Sequence, residues 1–246
     1  MWRKQKESSN KVLLSGSKCP SFFNMAVLED GETCMAFSEL DFKATYVVLF
    51  FFPMDRSVDY SELMAFKELL EQFRNIDCQV VGVTSDSLMS ILKWIKMDPK
   101  QGGTGGPLNF TILSDKNLSL AKMFGVKSPS GMPARATFIM DKDRKVRHSS
   151  IYPRVVGRCI KEVLRTTQAI KEVDKHLKEE EDVAIPAGWK QGEEVIINTF
   201  QGRKDYYKSA VKNVEEGESG WVGDDEDEKN KKSEDGGEKV TENTGP

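Results

Sequence analysis

The chain has 246 residues, 38% hydrophobic and 30% charged, which suits one ordinary globular domain with some unfolded length and excludes two full cores. Residues 215–246 hold 12 acidic and 4 basic side chains, so the remaining 32 basic and 27 acidic groups leave a body of net charge +5. That excess is too dilute for nucleic-acid binding, which needs clustered Lys and Arg on one face, and no 18-residue apolar run exists to cross a membrane.

In chain order, Met1 to Lys11 is polar and lacks the apolar core of a secretory signal. Tyr46 to Phe52 is a short, continuous apolar run and reads as a buried central strand. Ser61 to Arg74 has helical spacing, with Leu63, Phe66, Leu69, Leu70 and Phe73 on one stripe. Cys78 to Thr84 predicts a second buried strand and Ser87 to Met97 a second helix. Gly102 to Pro107 is a break.

A short strand near Phe110 to Leu113 and a helix near Asn117 to Phe124 follow. Ala136 to Met140 and Val146 to Ile151 read as paired strands around the turn 141–144, and Val155 to Val173 as a long helix. Alternating strands and helices predict βαβ units with parallel pairing, an α/β layer fold. Residues 179–212 read as an extended arm ending in a short helix around Asp205 to Val211. From Glu215 onward little is apolar except Trp221, Val222 and Val240, the composition of a disordered acidic tail.

Four cysteines, Cys19, Cys34, Cys78 and Cys159, are scattered without zinc-like spacing. This fits a reducing compartment, and cytoplasm is the expectation. His148 and His176 stand isolated in the sequence, so no metal site is expected. The glycine-rich stretch lacks the G-K-[ST] ending of a phosphate loop.

Several motifs occur in a specific order: FFFP at 50–53, DYSE at 59–62, CQVVGVTSDS at 78–87, KWI at 93–95 and KQGG at 100–103. ARATFIMD at 134–141, VVGR at 155–158, PAGW at 186–189 and Tyr206-Tyr207 complete the series. Over roughly residues 18–209 the chain thereby resembles the peroxiredoxins of the typical two-cysteine class. The resemblance implies a thioredoxin-like core, a mixed central sheet with flanking helices, carrying peroxiredoxin-type extensions and a C-terminal arm. It divides the chain into an N-terminal extension (1–17), the core domain (18–178), the arm (179–214) and the tail (215–246). It implies peroxide reduction without a cofactor, and a homodimer or higher ring.

In that family a thiolate at a helix N-terminus attacks the peroxide, helped by a guanidinium, a hydroxyl and a proline. By resemblance Pro53, Ser57 and Arg135 match the proline, hydroxyl and arginine, with Glu62, Trp94 and Arg158 in supporting places. The nucleophile's slot holds Asp59, in a loop one residue shorter than the family pattern, with Tyr60 in place of proline. The resolving cysteine belongs just before PAGW, where Ala184 and Ile185 carry no sulfur.

Two readings of Asp59 follow. It caps the helix, with Glu62 three residues on completing a capping box, and pairs with Arg135 or Arg158 in an inert pocket. Alternatively its carboxylate mimics the charge of an over-oxidised cysteine sulfinate. The resulting expectation is a catalytically degenerate peroxiredoxin acting as a scaffold or holdase-like subunit, alone or mixed with active relatives. The competing expectation is a thiol-dependent peroxidase using another cysteine, with thioredoxin as its reductant.

Overall fold

A computed structural model describes residues 11–53 and 58–215, with side chains to Val211. It falls into two compact units, residues 1–175 and 176–246.

The first unit is built on seven strands: β1 (Phe23–Val27), β2 (Cys34–Ser38), β3 (Tyr46–Phe51), β4 (Cys78–Thr84), β5 (Thr111–Ser114), β6 (Arg135–Met140) and β7 (Val146–Tyr152). Their order across the sheet is β2-β1-β5-β4-β3-β6-β7. The pairs β3–β4 and β4–β5 are parallel, joined through α1 (Val58–Asn75) and α2 (Leu88–Lys96). The other neighbours are antiparallel, so the sheet is mixed, not wholly parallel. Two further helices complete this part of the chain: α3 (Ser119–Met123) and α4 (Ile160–Lys178), the latter running past the boundary between the units.

β3 shows why the sheet is buried on both faces. Successive side chains on a strand point to opposite sides. Tyr46, Val48, Phe50 and Phe52 join the core that contains Leu63, Phe66 and Phe73 of α1, Ile91 and Trp94 of α2 and Val163 of α4. Val47, Leu49 and Phe51 join the opposite core, with Ala121 of α3, Phe124 and the N-terminal Phe22 and Phe42. An apolar residue at every position is therefore required.

The β1–β2 hairpin lies in a stretch for which the apolar pattern predicts no element. Its strands have five residues each, and Phe23, Met25, Cys34 and Met35 are exposed. The turn carries a readable signal: Asp30 Oδ1 accepts from the amides of Glu32 and Thr33, and Gly31 has φ of 72°. α4 begins at Ile160, five residues after the expected start at Val155.

Gly102 to Gly106 wraps the end of α2. The amides of Thr104, Gly105 and Gly106 donate to the carbonyls of Trp94, Met97 and Ile95, carbonyls a helix end leaves without partners. The segment is thus a helix cap. A Cβ on Gly103 would lie 2.1 Å from the Met97 carbonyl oxygen, so only glycine fits.

The second unit contains the hairpin of β8 (Val183–Ala184) and β9 (Ile196–Ile197) and the helix α5 (Phe200–Glu215). The arm is thus more ordered than the sequence suggests, and α5 starts five residues before the expected helix. Gly202 explains the close packing: a Cβ there would meet the Ile197 carbonyl oxygen at 2.6 Å. The residues after Glu215, most of the expected acidic tail, lie outside the described residues, as does most of the N-terminal extension.

Gly103→Ala should destabilise the chain by about 1–3 kcal/mol, the usual range for overpacking. A lower urea midpoint at unchanged slope checks it.

Candidate functional site

Glu62 is the hub of a buried cluster. α1 opens at Val58, so Asp59 and Glu62 stand three residues apart on one helical face, at the end of the chain that leaves β3. Arg135 is the first residue of β6, and Arg158 lies in the loop before α4. All four side chains are buried, and Asp59 is 0% exposed.

Each contact is direct. Arg135 Nη1 donates to Asp59 Oδ1 at 2.7 Å and also to Glu62 Oε2. Its Nε and Nη2 donate to the Arg154 carbonyl at 3.1 and 3.0 Å. Arg158 gives Glu62 three bonds: from its backbone amide to Oε1 at 2.7 Å, from Nε to Oε1 at 3.1 Å and from Nη2 to Oε2 at 2.8 Å. The remaining Arg158 donors reach the carbonyls of Ala136 and Phe51 and the hydroxyl of Thr137, and the guanidinium lies 5.0 Å from the Phe50 ring centre. Gly157 packs against this arrangement; a Cβ there would sit 3.2 Å from Val58 Cγ1.

This geometry corrects the capping-box expectation. Asp59 lies inside the first turn of α1, and the Glu62 carboxylate is taken by both arginines. The expected pairing of Asp59 with Arg135 is present. The same contacts explain the late start of α4. The Arg158 amide and side chain are committed to Glu62, which fixes that residue in the loop.

Two carboxylates face two guanidiniums, so the cluster is formally neutral. Burial pulls the Arg158 guanidinium below its ordinary pKa, because desolvation disfavours the charged form, while Glu62 opposes the shift. Arg135 has acceptors at Nε, Nη1 and Nη2 already. A carboxylate also has no sulfur lone pair to take up a peroxide oxygen, whereas a thiolate does.

Other expected positions fall as follows. Pro53 is buried, immediately after β3 and Phe52. Ser57 lies outside the described residues. Trp94 is buried on α2, and its indole donates to the Gly102 carbonyl at 2.7 Å, so its polar contact belongs to the glycine cap. In the second unit, Ala184 is exposed at the end of β8 and Ile185 is half-buried beside it. The family-like pair there makes an edge-on ring contact, Tyr206 with Tyr207 at 6.2 Å.

The cysteines divide into two classes. Cys19 and Cys78 are buried, and burial pushes each thiol up to about 12. Cys34 and Cys159 are exposed, Cys34 on the edge strand β2 and Cys159 next to Arg158 at the start of α4. Three groups in the second unit are also brought together: His176, Glu179 and Glu181, so His176 is not isolated.

Removing one cation from the cluster should be costly. Arg135→Met leaves Asp59 and Glu62 short of a buried partner, and we expect a loss of about 3–5 kcal/mol by chemical denaturation. Asp59→Asn, which keeps the shape and an acceptor oxygen for Arg135 but leaves one buried positive charge uncompensated, should also lower the denaturation midpoint.

Sequence comparison with known families gives a consistent result. Residues 16–149 match the AhpC/TSA family, and residues 169–209 match the C-terminal domain of 1-Cys peroxiredoxin. The chain is 37% identical to the chloroplastic 2-Cys peroxiredoxin BAS1 of Hordeum vulgare, over 79% of this chain and 90% of that protein. It is 38% identical to peroxiredoxin-2 of Rattus norvegicus, over 78% of this chain and 94% of that one. Among solved structures, the reduced 2-Cys peroxiredoxin of Plasmodium vivax superposes with a TM-score of 0.73 at 28% identity, covering 79% of this chain and 98% of that one. AhpC of Enterococcus faecalis superposes with a TM-score of 0.63 at 28% identity, covering 71% and 100%. The mixed sheet, its flanking helices and these matches agree: the chain belongs to the AhpC/TSA family, the peroxiredoxins.

Proposed function

We propose that this chain is a peroxiredoxin that has lost the thiol cycle and acts by binding, as a scaffold or holdase-like subunit of the cell's redox system. The observation that carries this reading is the buried contact of Asp59 with Arg135 at 2.7 Å. In this reading Asp59 occupies the nucleophile's slot and pairs with Arg135, the arginine that would otherwise orient the oxidant, so the two groups neutralise each other. Pro53, Ser57, Glu62, Trp94 and Arg158 then form a vestigial pocket, and Ala184 and Ile185 mark where a resolving sulfur is absent. Residues 18–178 carry this pocket and 179–214 form the arm.

Asp59 further resembles a cysteine sulfinate in charge and in carrying two acceptor oxygens. On that basis the chain is held in a state equivalent to the over-oxidised one. Its partners are copies of itself or active relatives. One sheet edge supports self-association: β7 is a terminal strand of the sheet, and Ile151, Val155 and Val156 at and beyond its end are exposed. No helix among the described residues is long and apolar enough to cross a membrane. We assign the chain to the cytoplasm as a reducing compartment, where scattered free thiols persist.

The competing reading, a thiol-dependent peroxidase reduced by thioredoxin, rests on Cys34 and Cys159 being exposed. The two readings separate on peroxide consumption by pure protein with excess dithiothreitol. We expect no consumption above a buffer blank; turnover that disappears in a Cys-free variant would establish the peroxidase instead. Asp59→Cys tests the pocket itself, and intact mass should show one added oxygen per chain after stoichiometric peroxide. No added oxygen would show that the shortened loop and Tyr60 have disabled more than the nucleophile.

Thiol reactivity gives an independent check. A thiol whose folded pKa is raised stays protonated until pH approaches that value. With a neutral-pH maleimide pulse we expect two labels per native chain, on Cys34 and Cys159, and four after denaturation. Raising the pH through about 9 should destabilise the fold progressively, because unfolded Cys19 and Cys78 ionise there while the folded thiols hold their protons until about 12.

A further inference from the structure

At the end of α4 the chain reverses in a way that gathers metal-binding groups. Glu180 adopts the left-handed conformation, with φ of 60°. The amides of Glu179 and Glu181 both donate to the His176 carbonyl, at 2.9 and 3.0 Å, and the Glu180 amide donates to Leu177. The reversal returns Glu181 over the last turn, where its Oε2 lies 2.9 Å from His176 Nδ1. Glu179 sits beside them, and one donor atom from each of the three residues lies within 4.8 Å of the other two.

We propose that His176, Glu179 and Glu181 form a surface site for a divalent transition cation, of which Zn²⁺ is the best fit. One imidazole nitrogen and two carboxylates are three protein ligands, and the remaining positions face solvent for water. Zinc binds such donors at about 2.0–2.2 Å. Glu179 and Glu181 are exposed, so small side-chain rotations bring their oxygens to one ion, and His176 is half-buried, which limits its ring to few orientations. The imidazole selects a transition metal over Mg²⁺ or Ca²⁺, which prefer oxygen ligands alone.

The surroundings favour a cation in two further ways. The site is at the C-terminal end of a 19-residue helix, where the peptide dipoles present partial negative charge. The local sequence Glu179-Glu180-Glu181-Asp182 adds two more carboxylates beside the ligands. The 2.9 Å His176–Glu181 contact already holds two of the three ligands together, so the site is largely assembled.

The test is calorimetric titration of the full chain with ZnCl₂, carrying Cys34→Ser and Cys159→Ser so that exposed thiols cannot supply the ligands. We expect a single saturable event that persists in excess Mg²⁺. His176→Ala should weaken it by at least about tenfold, and Glu179→Gln, at an exposed residue the fold does not need, should weaken it measurably. The His176 imidazole resonances should shift on zinc addition and not on magnesium addition. No saturable binding, or an affinity unchanged in both variants, would overturn the site and leave an ordinary ion pair at the end of the helix.

Discussion

The structure of the first unit depends on how one carboxylate, Glu62, is neutralised out of water. It accepts four hydrogen bonds from two arginines, and those arginines in turn reach the carbonyls of Phe51, Ala136 and Arg154. The first turn of α1, the end of β3, the start of β6 and the loop before α4 are therefore fastened at one point. Buried ion pairs often contribute little net stability, because desolvation costs about as much as the attraction returns. Their value here is positional: a misplaced element would leave a charge buried without its partner, and that costs several kcal/mol. The cluster selects one arrangement of elements more than it strengthens it.

Charge balance then explains why an aspartate suits position 59. Two buried guanidiniums beside a single Glu62 would leave one positive charge uncompensated. A thiolate would supply the missing negative charge, and so does a carboxylate. Asp59 therefore satisfies the same electrostatic requirement without a sulfur. The stem of Asp is short, but α1 starts early enough for Oδ1 to reach Arg135 at 2.7 Å. A carboxylate at position 59 fits the pocket, and Glu62, Arg135 and Arg158 form a dense hydrogen-bond network around it.

Much of the first unit was legible because its core elements are strongly patterned. β3 and β4 are apolar at nearly every position, and α1 and α2 carry clear helical stripes, so burial and period agree. The β1–β2 hairpin escaped because its strands are short and carry exposed Phe23, Met25 and Met35, with the Asp30-Gly31 turn as the one strong clue. That Asp59, Glu62, Arg135 and Arg158 come together was expected, but their wiring was not legible. The pattern Asp59-x-x-Glu62 fits a capping box as well as it fits a pair of inward-facing carboxylates. What separates the two is Arg135 and Arg158, 73 and 96 residues away from Glu62, and only the folded chain brings them together. The contact of Trp94 was not legible either: the indole N–H reaches the Gly102 carbonyl, a partner that only the folded chain shows.

The glycine cap bears on whether the helices around the pocket are free to open. Its glycines are required by geometry, since Gly103 touches the Met97 carbonyl and Gly105 packs on Pro99. The carbonyls it satisfies are those at the end of α2, a helix that packs in the same core as α1. A capped α2 and a charge-locked α1 are both features that resist local unfolding. In an enzyme that must expose its nucleophile to a second thiol, such resistance slows turnover. Under the proposed reading, with Asp59 in the nucleophile's slot, the same contacts carry no such cost and serve rigidity. A rigid core whose terminal strand β7 lacks a neighbour on one side among the described residues is a physical basis for the proposed action through binding, because little conformational entropy is lost when the surface of an already ordered protein meets a partner.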